Sequence, residues 1–312
     1  MGLAAGAGLL AKPSLSAQAV ASQAASALPL VTKPIPSSGE RLPVVGLGTA
    51  QTWGSTPLAQ LVTLLRRMPD LGGTVIDTAP AYGNSEAALG DTLLQTGTRD
   101  VMFLATKVSI GGGRGTGRST NTAAGREQGL ASIEESMRRL HTTRIDLMNV
   151  WNLGGPDVLL PLLRDLKAQG RIRYYGVTTT FDGQYPELID LMSKTALDFI
   201  EVDYAINNRN VADRILPLAI DRGIAVLTAL PFGRTSALQK LQNKPVPEWA
   251  RDIDCSTWAQ ILLKYLVSHP AVTVAIPGTT NVDHLADNLA AARGRMPDSA
   301  MRSRIEREYD AI

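Results

Sequence analysis

The chain has 312 residues, with 31 lysines and arginines against 29 aspartates and glutamates, a formal charge of +2. That balance argues against a dedicated nucleic-acid binder, which carries a marked basic excess. The single cysteine, Cys255, excludes an internal disulfide and a multi-cysteine metal cage, and three scattered histidines show no metal-ligand spacing.

Residues 1–30 read as a leader. From Gly2 to Ala11 runs an apolar stretch of small residues and leucines, followed by Ala17-Gln18-Ala19, whose small first and third residues suit a signal peptidase. At about ten residues the run is too short to cross a bilayer, which needs roughly 20, so no transmembrane anchor is expected. Only Met1 precedes it, without the usual basic start. The expectation is an export signal truncated at its basic end, directing the protein to the periplasm. The alternative is a disordered tail on a cytoplasmic protein.

From residue 43 onward, short apolar strands alternate with amphipathic helices. The strands are expected at 44–48, 74–77, 101–106, 145–151, 172–177, 199–203, 224–229 and 272–276. Their β-branched content suits strands buried on both faces. Helices are expected at 58–68, 86–94, 124–140, 158–169, 211–222, 257–268 and 281–292. In the third, Leu130, Ile133, Met137 and Leu140 recur at spacings of three and four, which makes one apolar stripe. Gly170 and Gly223 sit just past helix ends, where a left-handed cap favours glycine. Met296-Pro297-Asp298-Ser299 and the residues up to Tyr309 predict a capped helix at the C-terminus. The alternation predicts an α/β chain, one (β/α)8 TIM barrel over 31–312 closed by that helix. An open doubly wound sheet is the competitor, but Gly46-Leu47-Gly48 lacks the third glycine and the immediate helix of its dinucleotide fingerprint.

Chemistry in such a barrel gathers at the C-terminal ends of the strands. The second strand ends in Asp77, with Tyr82 five residues on, and Lys107 follows the third. A lysine at the end of an apolar strand needs a partner, and Asp77 is the obvious one. A tyrosine beside that ammonium would have its phenol pKa drawn below about 10 and could donate a proton near neutral pH. A purely structural Asp77–Lys107 pair, with Tyr82 packing the loop, fits these three residues equally well.

The wording around them goes further. Ile76 to Glu86 (IDTAPAYGNSE), with Gly90 beyond, resembles the first signature of the aldo-keto reductases. So do Gly46-Leu47-Gly48-Thr49, Ala105-Thr106-Lys107, the stretch from Ser132 to Leu147, and Ile276-Pro277-Gly278-Thr279-Thr280 through Asn288, in family order. The resemblance implies NADPH (NADP) lying across the strand ends, NADH not being excluded, and hydride transfer to a small-molecule carbonyl substrate. It casts Tyr82 as proton donor, Lys107 as the group that tunes it, and Asp77 as the carboxylate holding Lys107. Gly48, Thr49, Asp77, Thr178, Thr179, Glu201, Pro231, Phe232, Arg234, Gly278, Thr279, Thr280, His284 and Asn288 are the cofactor-side candidates.

The departures converge on the nicotinamide end. Trp151 stands where the family has a catalytic histidine, and an indole donates one hydrogen bond but neither accepts nor titrates. Thr178-Thr179 replaces the family's Ser-Asn, Glu201 its glutamine, and Ala229 a ring that stacks on the cofactor. A non-catalytic barrel that binds a nucleotide or small molecule is therefore the alternative to an active reductase. Gly111 to Arg118 (GGGRGTGR) lacks the Gly-Lys-Ser/Thr ending of a phosphate loop and reads as a substrate-covering or connecting loop.

Overall fold

The computed structural model describes residues 28–50, 52–110 and 122–312. The expected leader, apart from its last residues, and the glycine-rich loop therefore lie outside the described residues. The chain opens with an antiparallel hairpin, β1 (Thr32–Pro34) and β2 (Arg41–Pro43). Parallel strands follow in chain order around a barrel: β3 (Leu47–Gly48), β4 (Val75–Asp77), β5 (Phe103–Val108), β6 (Ile145–Val150), β7 (Ile172–Thr179), β8 (Phe199–Asp203), β9 (Ala225–Ala229) and β10 (Val272–Ala275). The last strand meets the first. The Gly46 amide donates to the Ala275 carbonyl at 2.8 Å, and the Gly48 amide to the Pro277 carbonyl at 3.0 Å.

Around the barrel lie α1 (Leu58–Asp70), α2 (Ser85–Thr96), α3 (Thr122–Arg139), α4 (Pro156–Ala168), α5 (Tyr185–Lys194), α6 (Ile215–Arg222), α7 (Ser236–Lys240), α8 (Trp258–Val267) and α9 (Val282–Ala290), followed by α10 (Ser299–Asp310). Most bury one apolar stripe. Helix α1 sets Leu61, Leu64, Leu65 and Met68 against the strands, and each contributes about 1.5–3 kcal/mol of burial. Gly170 and Gly223 take positive φ (72° and 63°) just after α4 and α6, as the sequence predicts. The Asp298 side chain caps α10 by accepting from the Met301 amide at 2.8 Å.

The structure adds three pieces to the expected pattern. Helix α5, between β7 and β8, buries only Leu188 and Met192, too little for a visible periodicity. Helix α7 is a single short turn. The hairpin, rich in proline, inserts Ile35 and Leu42 into the lower barrel. There Phe103, Tyr174 and Phe199 form a layer with ring centroids 5.7–6.0 Å apart. The Tyr174 hydroxyl donates to Glu40 at 2.6 Å, fastening the hairpin beneath that layer. The N-terminal end of the barrel is thus plugged, and the opposite end carries the polar side chains. A groove of about 500 Å³ at the plugged end is lined by Arg99, Arg171, Arg173, Glu40 and Asp146, among others. Those three arginines are paired with carboxylates, at Asp146, Glu134 and Glu40.

Candidate active site

The parallel register sets Asp77 beside Ala105 and Lys107 beside Asn149, so Asp77 and Lys107 emerge at neighbouring heights. Lys107 is 1% exposed, and its ammonium donates to both Asp77 oxygens at 2.6 Å and to the Thr78 carbonyl at 3.1 Å. A second carboxylate reaches it from across the barrel: Glu201 Oε2 on β8 lies 3.2 Å from Nζ. Asn149 Nδ2 donates to that same Glu201 oxygen at 3.2 Å. One residue earlier on β5, Thr106 points outward and donates to buried Glu86 of α2 at 2.8 Å, which fixes the strand that carries Lys107.

Tyr82 sits in the loop after β4. That loop is folded by the Tyr82 amide on the Ala79 carbonyl (3.1 Å) and by the Ser85 amide on the Tyr82 carbonyl (3.2 Å). Buried Ser85 ties it to β3 through Oγ, which donates to the Thr49 carbonyl at 3.1 Å. The Lys107 ammonium is 5.4 Å from the Tyr82 ring centroid.

The expected lowering of the Tyr82 pKa is corrected here. Burial pushes the phenol up to about 12; the Lys107 charge opposes this, while Asp77 and Glu201 reinforce it. Burial is the larger cause, and two carboxylates rather than one share the ammonium that would draw the phenol down. Asp77 itself is pushed up to about 7, by burial first and then by Glu201, against the pull of Lys107. Burial disfavours the Lys107 charge, yet Asp77 and Glu201 raise its pKa on balance.

The sequence pattern ends the strand at Trp151, but β6 ends at Val150. Trp151 begins a tight turn, Trp151–Leu153, after β6, with Asn152 and Leu153 at φ 48° and 52°. The indole is half-buried at the barrel mouth, and its N–H finds no acceptor among the described residues. The turn is held by Gln184 Nε2 on the Asn152 carbonyl at 3.0 Å.

Gln184 also engages the end of β7. Thr179 Oγ1 donates to Gln184 Oε1 and accepts from the Phe181 amide at 3.2 Å. Thr179 and Glu201, expected at a carboxamide, are thus both bonded to protein. Thr178 is buried beside Glu201 in register, Pro231 is buried, Phe232 half-buried, and Arg234 exposed. Across the mouth, Gly278 is exposed and Thr279 and Thr280 are half-exposed. Trp53, fully buried, donates its indole N–H to the Thr279 carbonyl at 3.0 Å, and Gln60 Nε2 donates to the Thr280 carbonyl at 2.8 Å. Asn281 caps α9, on which His284 is exposed and Asn288 buried. Gly48 bridges to Gly278 of this loop from β3, and the hydroxyl of Thr49, just beyond that strand, is buried without a partner among the described residues.

Trp53, Asn149 and the Glu201–Lys107 contact were not among the sequence candidates. Trp53 is a lone tryptophan in a polar loop, and its bond spans more than two hundred positions. Glu201 carried a signal: an acidic residue inside an apolar strand has to meet a cation.

The chain matches the family model of the aldo/keto reductase family over residues 44–306. It is 30% identical over 287 residues to the methylglyoxal reductase YeaE of Escherichia coli, covering 89% of this chain and 95% of that one. It is 31% identical over 196 residues to the aldo-keto reductase YhdN of Bacillus subtilis, covering 59% and 56%. A solved aldo-keto reductase from Klebsiella pneumoniae, in complex with NADPH, superposes with a TM-score of 0.73 at 25% identity, covering 90% of this chain and 96% of that one. The fold is therefore the (β/α)8 barrel of that group. The chain belongs to the aldo/keto reductase family and is an oxidoreductase of that class. Among the described residues no helix is long and apolar enough to cross a membrane.

Proposed function

We propose that the protein reduces small carbonyl compounds with NADPH, Tyr82 donating the proton. The observation that carries this reading is the buried Lys107–Asp77 pair at the barrel mouth with the Tyr82 ring against its ammonium. A lysine this deeply buried is costly to keep, and its placement beside a phenol suits proton transfer.

The donor set of the mouth fits a dinucleotide at its phosphate end. Gly278, Thr279, Thr280, His284, Asn288 and Arg234 offer backbone N–H, hydroxyl, amide and basic groups for phosphates and adenine. Trp53 and Gln60 hold that loop in place. Bound NADPH supplies the hydride. Tyr82 then protonates the oxygen as charge develops on it, and Lys107, held by Asp77, steadies the phenolate left behind. Trp151 follows the end of β6, and its indole N–H, without an acceptor among the described residues, is available to orient a carbonyl oxygen. The relatives include a methylglyoxal reductase and an NADP-linked aryl-alcohol dehydrogenase, so small and aromatic aldehydes are the probes of choice.

Calorimetric titration with NADPH and NADH tests the cofactor half of this reading. Binding tighter than about 1 mM is expected, and none at that level refutes it. The bonding of Thr179 and Glu201 to protein supports a second reading, a barrel that binds nucleotide without turnover. Binding with no reduction of any aldehyde would favour it. We propose in addition that the N-terminal segment directs export; N-terminal sequencing of the protein from its native host is expected to find it removed, and an intact Met1 refutes this.

A further inference from the structure

We propose that Glu201 is a positioning residue for this reaction: it shares the Lys107 ammonium with Asp77, draws that charge away from Tyr82, and keeps the phenol protonated until a carbonyl enters. The inference rests on Tyr82 being the proton donor. Glu201 is 2% exposed, and Oε2 is fixed between Lys107 at 3.2 Å and Asn149 at 3.2 Å. It reaches Lys107 from β8, across the barrel from the Asp77 contact on β4. The groups facing it are Lys107 from β5, Asp77 from β4, Tyr82 from the loop after β4, and neutral Asn149 from β6. Its register partners on β7 and β9, Thr178 and Leu227, carry no charge.

Two carboxylates about one ammonium leave the site with an excess negative charge whenever both are ionised. Such a site opposes formation of a phenolate and opposes any substrate that brings a carboxylate of its own. The substrate class that follows is neutral carbonyl compounds rather than keto acids or carboxylated aldehydes.

The test substitutes Glu201→Gln, which keeps the shape and the acceptor for Asn149 while removing the charge. Tyrosinate absorbance is followed through alkaline titration in the wild type, the Gln variant and Glu201→Asp, with Tyr82→Phe subtracted to isolate Tyr82 and circular dichroism confirming the fold. Glu201→Gln is expected to bring Tyr82 ionisation down by about one pH unit or more, and Glu201→Asp to restore part of it. An unchanged titration overturns the proposal whether or not the enzyme turns over. In NADPH-dependent reduction, kcat/KM for benzaldehyde over its para-carboxylate is expected to be at least about tenfold in the wild type and to narrow in the Gln variant. A shifted titration with no reduction of any aldehyde by either protein overturns the reductase reading, and with it the positioning role.

Discussion

Lys107→Met removes the cation and leaves two buried carboxylates facing each other. With contacts of 2.6 Å to Asp77 and 3.2 Å to Glu201, the ammonium attracts them by about 6 and 5 kcal/mol at an effective dielectric of 20. Most of that attraction offsets desolvation, so the net loss follows from stranding the anions, about 3–5 kcal/mol. The loss has a pH signature. Asp77 is already raised in the folded wild type, and without the opposing pull of Lys107 it rises further. A carboxylate raised in the fold stabilises it fully below its unfolded pKa and ceases to do so as pH rises through the folded value. The variant's deficit therefore grows between pH 5.5 and pH 8, by up to about 1.4 kcal/mol per pH unit. Urea unfolding of both proteins at the two pH values measures it. A deficit that is equal at both, or a variant as stable as wild type at pH 8, would refute the ion-triad account.

Three other predictions follow from particular contacts. A Cβ at Gly90 would lie 2.0 Å from the Arg139 carbonyl, so Gly90→Ala must push α2 off the end of α3; a loss of about 1–3 kcal/mol is expected as a lowered Tm, and an unchanged Tm counts against that packing. Trp53→Phe removes the hydrogen bond on the Thr279 carbonyl and should weaken NADPH binding about five- to tenfold by calorimetry, whereas equal affinity would mean the loop holds itself. Burial, with Arg302 and Lys33 nearby, pushes His269 down to about 4. A base depressed in the fold stabilises it above its unfolded pKa near 6.5, and that contribution is lost as pH falls toward 4, so wild type should lose about 1–2 kcal/mol on acidification, allowing for its partial exposure, that His269→Gln does not.

The barrel was legible in the sequence because each strand is an apolar run and most helices carry an apolar stripe. Helix α5 escaped because two buried side chains do not make a period, and the hairpin because three-residue strands flanked by prolines have no alternation to read. The end of β6 was misjudged at Trp151 because a tryptophan suits a strand; the backbone turns there through two positive φ values that no side chain announces. At the site, Asp77, Tyr82 and Lys107 could be grouped because they lie on adjacent strands and the loop between them. Glu201 reaches Lys107 from the far side of the barrel. Its charge was visible in the sequence, but its partner depended on barrel closure, as did the burial that raises the Tyr82 phenol.

The reaction we propose is hydride transfer to a carbonyl with Tyr82 as the acid. It is tested most directly with NADPH deuterated at the transferable nicotinamide position, small aldehydes as acceptors, and mass spectrometry of the alcohols formed. Deuterium is expected on the former carbonyl carbon with the wild type, and loss of product with Tyr82→Phe. Bound NADPH that passes no label to any aldehyde, or full label transfer by Tyr82→Phe, would contradict it.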